Sequence, residues 1–300
     1  MVAGNSSGYA MFLGCVIPNL LPHLEISIRK VFGKLDVEVK DVAGFSCCPE
    51  PIGTPGLDIT TWVTLAARNL CVAEEAGLDI VTFCNGCFET LKEAKVLLEH
   101  DAKLRSKVAE ALSKVGREYR GRVEVKHFAQ VLYNDIGPAK LRSYVERPLK
   151  GVKVAAHYGC HILRPSHLLQ VDDPFNPVLL DALVEATGAE SVDYFRKFLC
   201  CGCGVGNLDE ATNVKMVMEK LHYMTQAKAD CMAVLCPVCF RQYDVRQMII
   251  NKTYGKDYNI PVFYYTQLLG LAMGMTPDEL ELKSNRTKVD PLLAKLNGGK

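Results

Sequence analysis

The organisation of this chain is most visible in residues 79–88, Asp-Ile-Val-Thr-Phe-Cys-Asn-Gly-Cys-Phe. Residues 79–83 are typical of a short buried strand, and apolar residues recur at helical spacing from 88 to 115. A Cys-x2-Cys pair therefore stands where a strand gives way to a helix. Similar strand and helix patterns alternate along the rest of the chain, and this alternation predicts an α/β fold with mostly parallel strands.

The same motif recurs at residues 235–240, Leu-Cys-Pro-Val-Cys-Phe, and two further cysteine motifs recur with it. Gly14-Cys15 matches Gly159-Cys160, and the adjacent pair Cys47-Cys48 matches Cys200-Cys201. Written as spacings, the first half is C-x31-CC-x35-C-x2-C and the second is C-x39-CC-x34-C-x2-C. An ordered pattern of five cysteines that occurs twice predicts an internal duplication.

The duplication predicts two pseudo-symmetric α/β domains, at residues 1–148 and 149–282, followed by a polar C-terminal tail at 283–300. In the first domain we expect strands at 9–13, 37–42, 79–83 and 123–128 and helices at 57–76 and 88–115. In the second we expect strands at 152–157, 191–195, 232–235 and 262–265 and helices at 176–187, 210–227 and 240–254.

Composition excludes several classes of protein. The chain has 300 residues, 49% of them hydrophobic, which is enough for two domains with cores of their own. The net charge of +1 gives no global field to attract nucleic acid or a membrane surface. No signal peptide is visible, and the apolar runs end well before the roughly 20 residues that a membrane helix needs. We therefore expect a cytoplasmic protein.

Thirteen cysteines are a large excess for a cytoplasmic chain, and they indicate metal ligation or redox chemistry rather than structural disulfides. Cys15, Cys84, Cys160 and Cys236 each follow a strand-like run, and ligands gather at the carboxyl ends of parallel strands. A structural zinc site takes four ligands and usually two Cys-x2-Cys pairs. Each half offers one such pair and five cysteines, which favours a polynuclear iron–sulfur cluster, with zinc as the alternative.

In this order, the cysteines resemble the two cysteine-rich CCG domains of the heterodisulfide reductase B subunits from methanogenic archaea, over nearly the whole chain. The first half has Cys-Cys-Pro where the second has Cys-Cys-Gly. The resemblance implies two noncubane [4Fe-4S] clusters. It assigns one to Cys15, Cys47, Cys48, Cys84 and Cys87, and the other to Cys160, Cys200, Cys201, Cys236 and Cys239.

The resemblance also implies a reaction, the reduction of the mixed disulfide of coenzyme M and coenzyme B to two thiols. We hypothesise that the duplication serves symmetric cleavage, each cluster taking one sulfur. The chain has neither a dinucleotide fingerprint nor a cubane cluster motif, so electrons must come from a partner. By resemblance the partners are a ferredoxin-like subunit, a flavoprotein subunit, and either a hydrogenase or a formate dehydrogenase, in a flavin-based electron-bifurcating complex.

The expected substrate is anionic, so basic side chains beside the clusters are candidate contacts: His161, Arg164 and Arg241. Each has a structural alternative: His161 caps the end of a strand, and the two arginines are solvated. Cys71 and Cys231 are expected to be small core residues, and Cys203 is either a spare ligand or a bystander.

Two other functions remain open. Single CCG domains also occur in glycolate oxidase, lactate-utilisation and succinate dehydrogenase-like proteins, so the chain is alternatively an electron-transfer component of a hydroxy-acid oxidase or dehydrogenase complex. A zinc-binding scaffold is the third possibility.

Overall fold

The structure is a computed structural model that describes residues 8–206 and 208–298. It contains two four-stranded parallel sheets, ordered β2-β1-β3-β4 and β6-β5-β7-β8. The identical order confirms the predicted duplicated α/β architecture. The strands are β1 Tyr9–Phe12, β2 Val39–Lys40, β3 Asp79–Thr82, β4 Val125–His127, β5 Lys153–His157, β6 Glu190–Val192, β7 Cys231–Val234 and β8 Val262–Tyr264.

Helices connect the strands in both halves. In the first half they are α1 Val16–Leu20, α2 Pro22–Lys34, α3 Thr54–Leu57, α4 Ile59–Ala76, α5 Asn85–His100, α6 Ala102–Ser113, α7 Phe128–Gln130 and α8 Pro138–Ser143, with a π-helical turn at Val131–Ile136. In the second half they are α9 Ser166–Leu169, α10 Leu179–Ala186, α11 Glu210–Gln226, α12 Pro237–Tyr254, α13 Tyr265–Ala272 and α14 Asp290–Gly298, with a 3-10 turn at Leu282–Ser284.

The long helices α4 and α11 begin in the same way. Asp58 caps α4 by accepting hydrogen bonds from the Thr60 and Thr61 amides, and Asp209 caps α11 by accepting one from the Thr212 amide. A carboxylate at this position satisfies amides that have no partner within the helix. The two helices are therefore equivalent elements of the duplication.

The single helix expected over 88–115 is two helices. Asp101 has extended backbone dihedral angles, ends α5 and caps α6 by accepting a hydrogen bond from the Leu104 amide. A short polar side chain that bonds the next turn favours a new helix start over continuation of the old one. The prediction of one helix was wrong at this residue.

The two halves pack on each other through α2 and α13, neither of which was predicted from the sequence. The hydroxyl oxygens of Ser27 and Thr266, both fully buried, lie 2.7 Å apart across this contact. A hydrogen bond between two buried hydroxyls satisfies both polar groups where water is excluded.

The segment after residue 282 packs against the second half. The buried Asn285 side chain donates to Val262 O at 2.9 Å, and Asp244 accepts hydrogen bonds from the amide and the hydroxyl of Thr287. Leu292 of α14 is also buried. None of the described helices is both long and apolar enough to span a membrane.

Candidate metal centre

The first five cysteines meet at the carboxyl edge of the first sheet. Cys15 follows β1, and Cys84 and Cys87 lie at the start of α5, directly after the neighbouring strand β3. Cys47 and Cys48 come from the loop after β2. The Cys48 thiol interacts with those of Cys47 and Cys87, Cys47 also interacts with Cys15, and Cys84 with Cys87. Three separate segments thus supply one connected set of sulfur atoms.

The second five cysteines repeat this arrangement at the carboxyl edge of the second sheet. The sulfur atoms of Cys160 and Cys200 lie 3.5 Å apart. Cys200 interacts with Cys201, Cys201 with Cys239, and Cys239 with Cys236. All ten cysteines are free thiols, and the structure brings every predicted ligand into one of two sets.

The two sets touch each other. Cys84 Sγ of the first lies 3.8 Å from Cys236 Sγ of the second. Asn85, the residue after Cys84, donates its side-chain amide to the backbone oxygen of Tyr158 at 2.7 Å, which ties the two cysteine edges together. Ten sulfur atoms from both halves therefore form one continuous array across the pseudo-twofold.

The cysteine thiols within the array differ in pKa. The pKa of Cys48 is lowered to about 4, chiefly by the hydrogen bond from Cys47, whose own pKa is raised. In the second set the hydrogen bond from Cys160 likewise lowers the pKa of Cys200, and the pKa of Cys160 is raised. Packed thiols cannot all ionise without a compensating positive charge. Iron ions supply that charge in an iron–sulfur cluster.

In residues 8–206 and 208–298, no group of three or more His, Cys, Asp or Glu side chains is arranged to hold a single metal ion. The fit to a cluster therefore rests on the donor set, which is ten thiols in two groups of five, and on the groups around it.

Buried polar atoms beside the second set lack partners within the part of the chain that the structure describes. Two of them can donate a hydrogen bond, Nε2 of His157 and the hydroxyl of Tyr243, and both residues are fully buried. Burial and the negative charge of Cys201 and Cys239 raise the pKa of Tyr243, so its hydroxyl keeps its proton. Buried donors without a partner are rare, and hydrogen-bond donors tune the sulfur atoms of iron–sulfur clusters. These residues fit such a group.

Glycines hold equivalent places in both sets. Gly14 and Gly159 precede Cys15 and Cys160, and both have left-handed backbone angles, with φ of +68° and +78°. A Cβ atom at Gly14 would lie 2.6 Å from the sulfur of Cys87, and one at Gly159 would lie 3.4 Å from that of Cys239. Glycine at position 14 leaves the place of the Cys87 sulfur open, and glycine at position 159 avoids a clash at 2.6 Å with Nδ2 of Asn85.

We predict that Gly14→Ala lowers the iron content of the anaerobically purified protein by about half, because the added methyl group displaces a ligand of one of two clusters. Iron and sulfide analysis measures this. Gly77→Ala is the matched control, since Gly77 has φ +66° and nothing within 4 Å of the added atom. An equal loss of iron in Gly14→Ala and Gly77→Ala would show that backbone strain, and not contact with the Cys87 sulfur, lowers the iron content.

A cavity of about 550 Å³ opens beside the array, between the two halves. Its lining includes Cys84 and Asn85 from the first half and Cys160, His161 and Cys236 from the second. A second pocket of about 280 Å³ shares Cys203 and Val238 with this cavity and adds Arg241, Gln242 and Arg246. An anionic molecule that enters the cavity would therefore find guanidinium groups next to it.

The three predicted substrate contacts lie in different surroundings. His161 lines the cavity, and its Nδ1 pairs with Glu89 of the first half. Arg241 lines the adjoining pocket. Arg164 is exposed and donates to Pro174 O at 2.9 Å. Sequence reasoning missed Glu89, because the contact joins segments 72 residues apart.

The other cysteines are also placed. Cys71 in α4 and Cys231 in β7 are fully buried, which confirms them as core residues. Cys203 is half-buried and lines both the cavity and the adjoining pocket.

Comparison with known proteins identifies the domains. The profile of the cysteine-rich CCG domain matches residues 9–92 and 154–244, so the chain is a protein of two CCG domains. Among heterodisulfide reductase B subunits, it is 42% identical, over 289 residues and 96% of each chain, to that of the ferredoxin/F(420)H(2)-dependent CoB-CoM enzyme of Methanosarcina acetivorans. The chain therefore belongs to the family of heterodisulfide reductase B subunits.

Two further similarities are informative. The chain is 31% identical over 277 residues, 92% of its length and 96% of the other, to the 8-methylmenaquinol:fumarate reductase membrane anchor subunit of Wolinella succinogenes. A crystal structure of a hypothetical protein from Helicobacter pylori aligns with a TM-score of 0.74 at 15% identity, covering 95% of this chain and 53% of that one. The structural match shows a shared fold only.

Proposed function

We propose that this chain is the disulfide-reducing subunit of a heterodisulfide reductase and that it reduces the mixed disulfide of coenzyme M and coenzyme B to the two thiols. The observation that carries the proposal is the junction of the two five-cysteine sets, 3.8 Å apart at Cys84 and Cys236, on the wall of one cavity. A disulfide in that cavity would lie within reach of both sets at once.

In this proposal each set holds one noncubane [4Fe-4S] cluster. When bound, such clusters supply electrons one at a time and iron sites that can bind sulfur. The hydrogen bond from Asn85 to Tyr158 fixes one cysteine edge against the other, so clusters held by the two sets would be neighbours. The apolar side chains of Ile52, Leu208 and Val238 line the cavity.

The electrons come from other proteins of the complex in this proposal. The relative from Methanosarcina acetivorans is named for ferredoxin and F(420)H(2) dependence. We propose that the direct donor is a ferredoxin-like subunit, with a flavoprotein subunit, then a hydrogenase or formate dehydrogenase, behind it in a cytoplasmic electron-bifurcating complex. Exposed apolar side chains near the cavity, among them Ile52 and Leu208, suit a covered surface of that kind.

Among the candidate substrate contacts, His161, Arg164 and Arg241, we expect Arg241 to matter most. We predict that Arg241→Met raises KM for the anionic disulfide by about tenfold and leaves kcat nearly unchanged, because a lost charge-assisted hydrogen bond weakens binding. Steady-state kinetics measures both constants. Arg164→Met is the matched control, since its guanidinium already donates to a backbone oxygen. A larger rise in KM for Arg164→Met than for Arg241→Met would reverse this ranking.

The direct test is turnover by the purified chain with a chemically reduced viologen dye as the donor. The proposal expects reduction of the coenzyme M–coenzyme B disulfide and much slower reduction of cystine. The similarity to a component of a fumarate reductase favours a second function, electron transfer without disulfide chemistry. In that case, the clusters would accept electrons from the dye and no thiol would form. A zinc scaffold would do neither.

A further inference from the structure

Lys220 of α11 carries a buried positive charge beside the second cysteine set. The residue is only 2% exposed. Its Nζ donates to the backbone oxygens of Leu199 at 2.7 Å and Lys197 at 3.0 Å and lies 3.2 Å from Nδ1 of His157. Leu199 directly precedes Cys200, so the ammonium lies under the Cys200-Cys201 turn. Three acceptors match the three hydrogens of an ammonium group.

No carboxylate neutralises this charge. Among the described residues, none lies within 4.0 Å of the Lys220 nitrogen, whereas the neighbouring Lys197 pairs with Asp181 at 2.6 Å. Burial lowers the pKa of His157 far below its usual value, so the ring is neutral and its Nδ1 accepts from Lys220. Burial also lowers the pKa of Lys220, to about 8, and negative charge on Cys239 opposes that shift.

The first half carries the corresponding charge in a more exposed place, since Arg68 of α4 is half-buried and donates to Gly44 O at 2.9 Å and to Ser46 Oγ at 3.1 Å. Counted from the helix caps, Lys220 corresponds to Asn69, and counted back from the Cys-x2-Cys motif that follows each helix it corresponds to Arg68. Asn69 also holds its cysteine turn, since it accepts from the Ser46 amide at 2.8 Å and donates to Cys47 O at 3.1 Å. Asn69 and Lys220 each support the cysteine turn of their own half, but Asn69 is neutral, and the charged Arg68 is more open to water than Lys220.

Other positions around the two sets differ in the same sense. His157 precedes Cys160 by three residues, and the residue that precedes Cys15 by three is Phe12. Tyr243 follows Cys239 by four residues, and the residue that follows Cys87 by four is Leu91. At these positions the second set therefore has polar side chains where the first has apolar ones, and its cation, Lys220, is more deeply buried than Arg68.

We propose that Lys220 raises the reduction potential of the second cluster above that of the first, so that an incoming electron settles on the second cluster. This inference rests on the proposed function, because it requires both clusters. A positive charge in a site shielded from water stabilises the form of a nearby cluster that carries one more electron. The step is the gain of one electron by one cluster, and no bond forms or breaks.

The test compares Lys220→Met with the unmodified chain by anaerobic redox titration, with absorbance and EPR as readouts. One midpoint potential should fall, so that at a fixed potential the reduced-to-oxidised ratio of that cluster drops at least tenfold, about 59 mV for a one-electron couple. The midpoint potential of the other cluster should not change. Lys220→Arg keeps the positive charge, so the midpoint potential that falls in Lys220→Met should equal that of the unmodified chain.

Lys95→Met is the matched control. Lys95 of α5 is also buried, at 6% exposed, but it pairs with Glu124 and lies two helical turns beyond Cys87. Its loss should move neither potential. If Lys220→Met does not accumulate as folded protein, Lys220→Gln replaces it as the neutral variant. The same fall in one midpoint potential is then expected of Lys220→Gln.

The outcomes separate the inference from the function on which it rests. Clusters that form fully in the neutral variant with both potentials unchanged overturn the role of Lys220 and leave the proposed function intact. A shift of equal size in Lys95→Met also overturns it. An unmodified chain that binds no iron or sulfide overturns the proposed function, and the inference with it.

Discussion

Replacement of Cys200 by alanine is expected to abolish disulfide turnover while the first cluster remains in place. Cys200 lies between Cys160 and Cys201 in the second set, so its loss breaks the connection of that set. If each cluster takes one sulfur of the disulfide, one cluster alone cannot complete the reaction. We expect turnover with a reduced dye to fall at least about 100-fold, beyond the effect of losing a group that only supports a metal ligand.

The control for this experiment is Cys231→Ala. Cys231 is fully buried in β7, yet it belongs to neither set, so its replacement removes a thiol without touching a cluster. Iron content should fall by about half in Cys200→Ala, as one of two clusters is lost, and should stay unchanged in Cys231→Ala. Full turnover in a Cys200→Ala protein that has lost one cluster would refute symmetric cleavage.

Replacement of Trp62 by alanine is expected to destabilise the protein by about 3–5 kcal/mol, the cost typical of removing a large buried aromatic side chain. The chain has one tryptophan, and it is fully buried in α4. Its indole nitrogen donates to the backbone oxygen of Glu50 at 3.1 Å, in the loop that carries Cys47 and Cys48. Urea unfolding followed by far-UV circular dichroism measures the free energy of unfolding.

Trp62→Phe serves as the comparison, because phenylalanine refills most of the volume and loses only the hydrogen bond. Its cost should be about 1–2 kcal/mol, the sum of one hydrogen bond and a small cavity. A loss below about 1 kcal/mol in Trp62→Ala would mean that the loop collapses into the space and that the tryptophan does not support it.

The sequence alone was sufficient for the α/β class and for the convergence of the cysteines. Both rest on local signals, since Cys84 and Cys236 each stand directly between a strand and a helix. In a parallel sheet the carboxyl ends of adjacent strands lie on one edge, so the order of elements predicts the meeting of these residues. The family resemblance added the cluster type and the substrate.

Contacts between distant segments could not be predicted in this way. Glu89 reaches His161 across the two halves, and Lys220 reaches Leu199 from a helix that carries no cysteine motif. Neither pair is close in sequence, and no periodicity marks either one. Helix α2 was not predicted, although proline at its first position and apolar residues at Leu24, Ile28 and Val31 are local signals for a helix.

The contacts of the C-terminal segment also join residues that are distant in sequence. The predicted tail at 283–300 is polar in composition, yet Asn285 and Thr287 are buried in the described structure. Their partners are Gln267 and Asp244 of the preceding domain. Buried polar residues of this kind satisfy hydrogen bonds that composition does not reveal.

The central claim is that two clusters, held by two five-cysteine sets, act on one disulfide. The most direct test is anaerobic purification with iron, sulfide and zinc analysis, followed by EPR after oxidation with and without coenzyme M thiol. The account predicts about eight irons, four for each cluster, and matching sulfide, with a paramagnetic signal that appears only when the thiol is present. Zinc without sulfide, or a signal indifferent to the thiol, would contradict it.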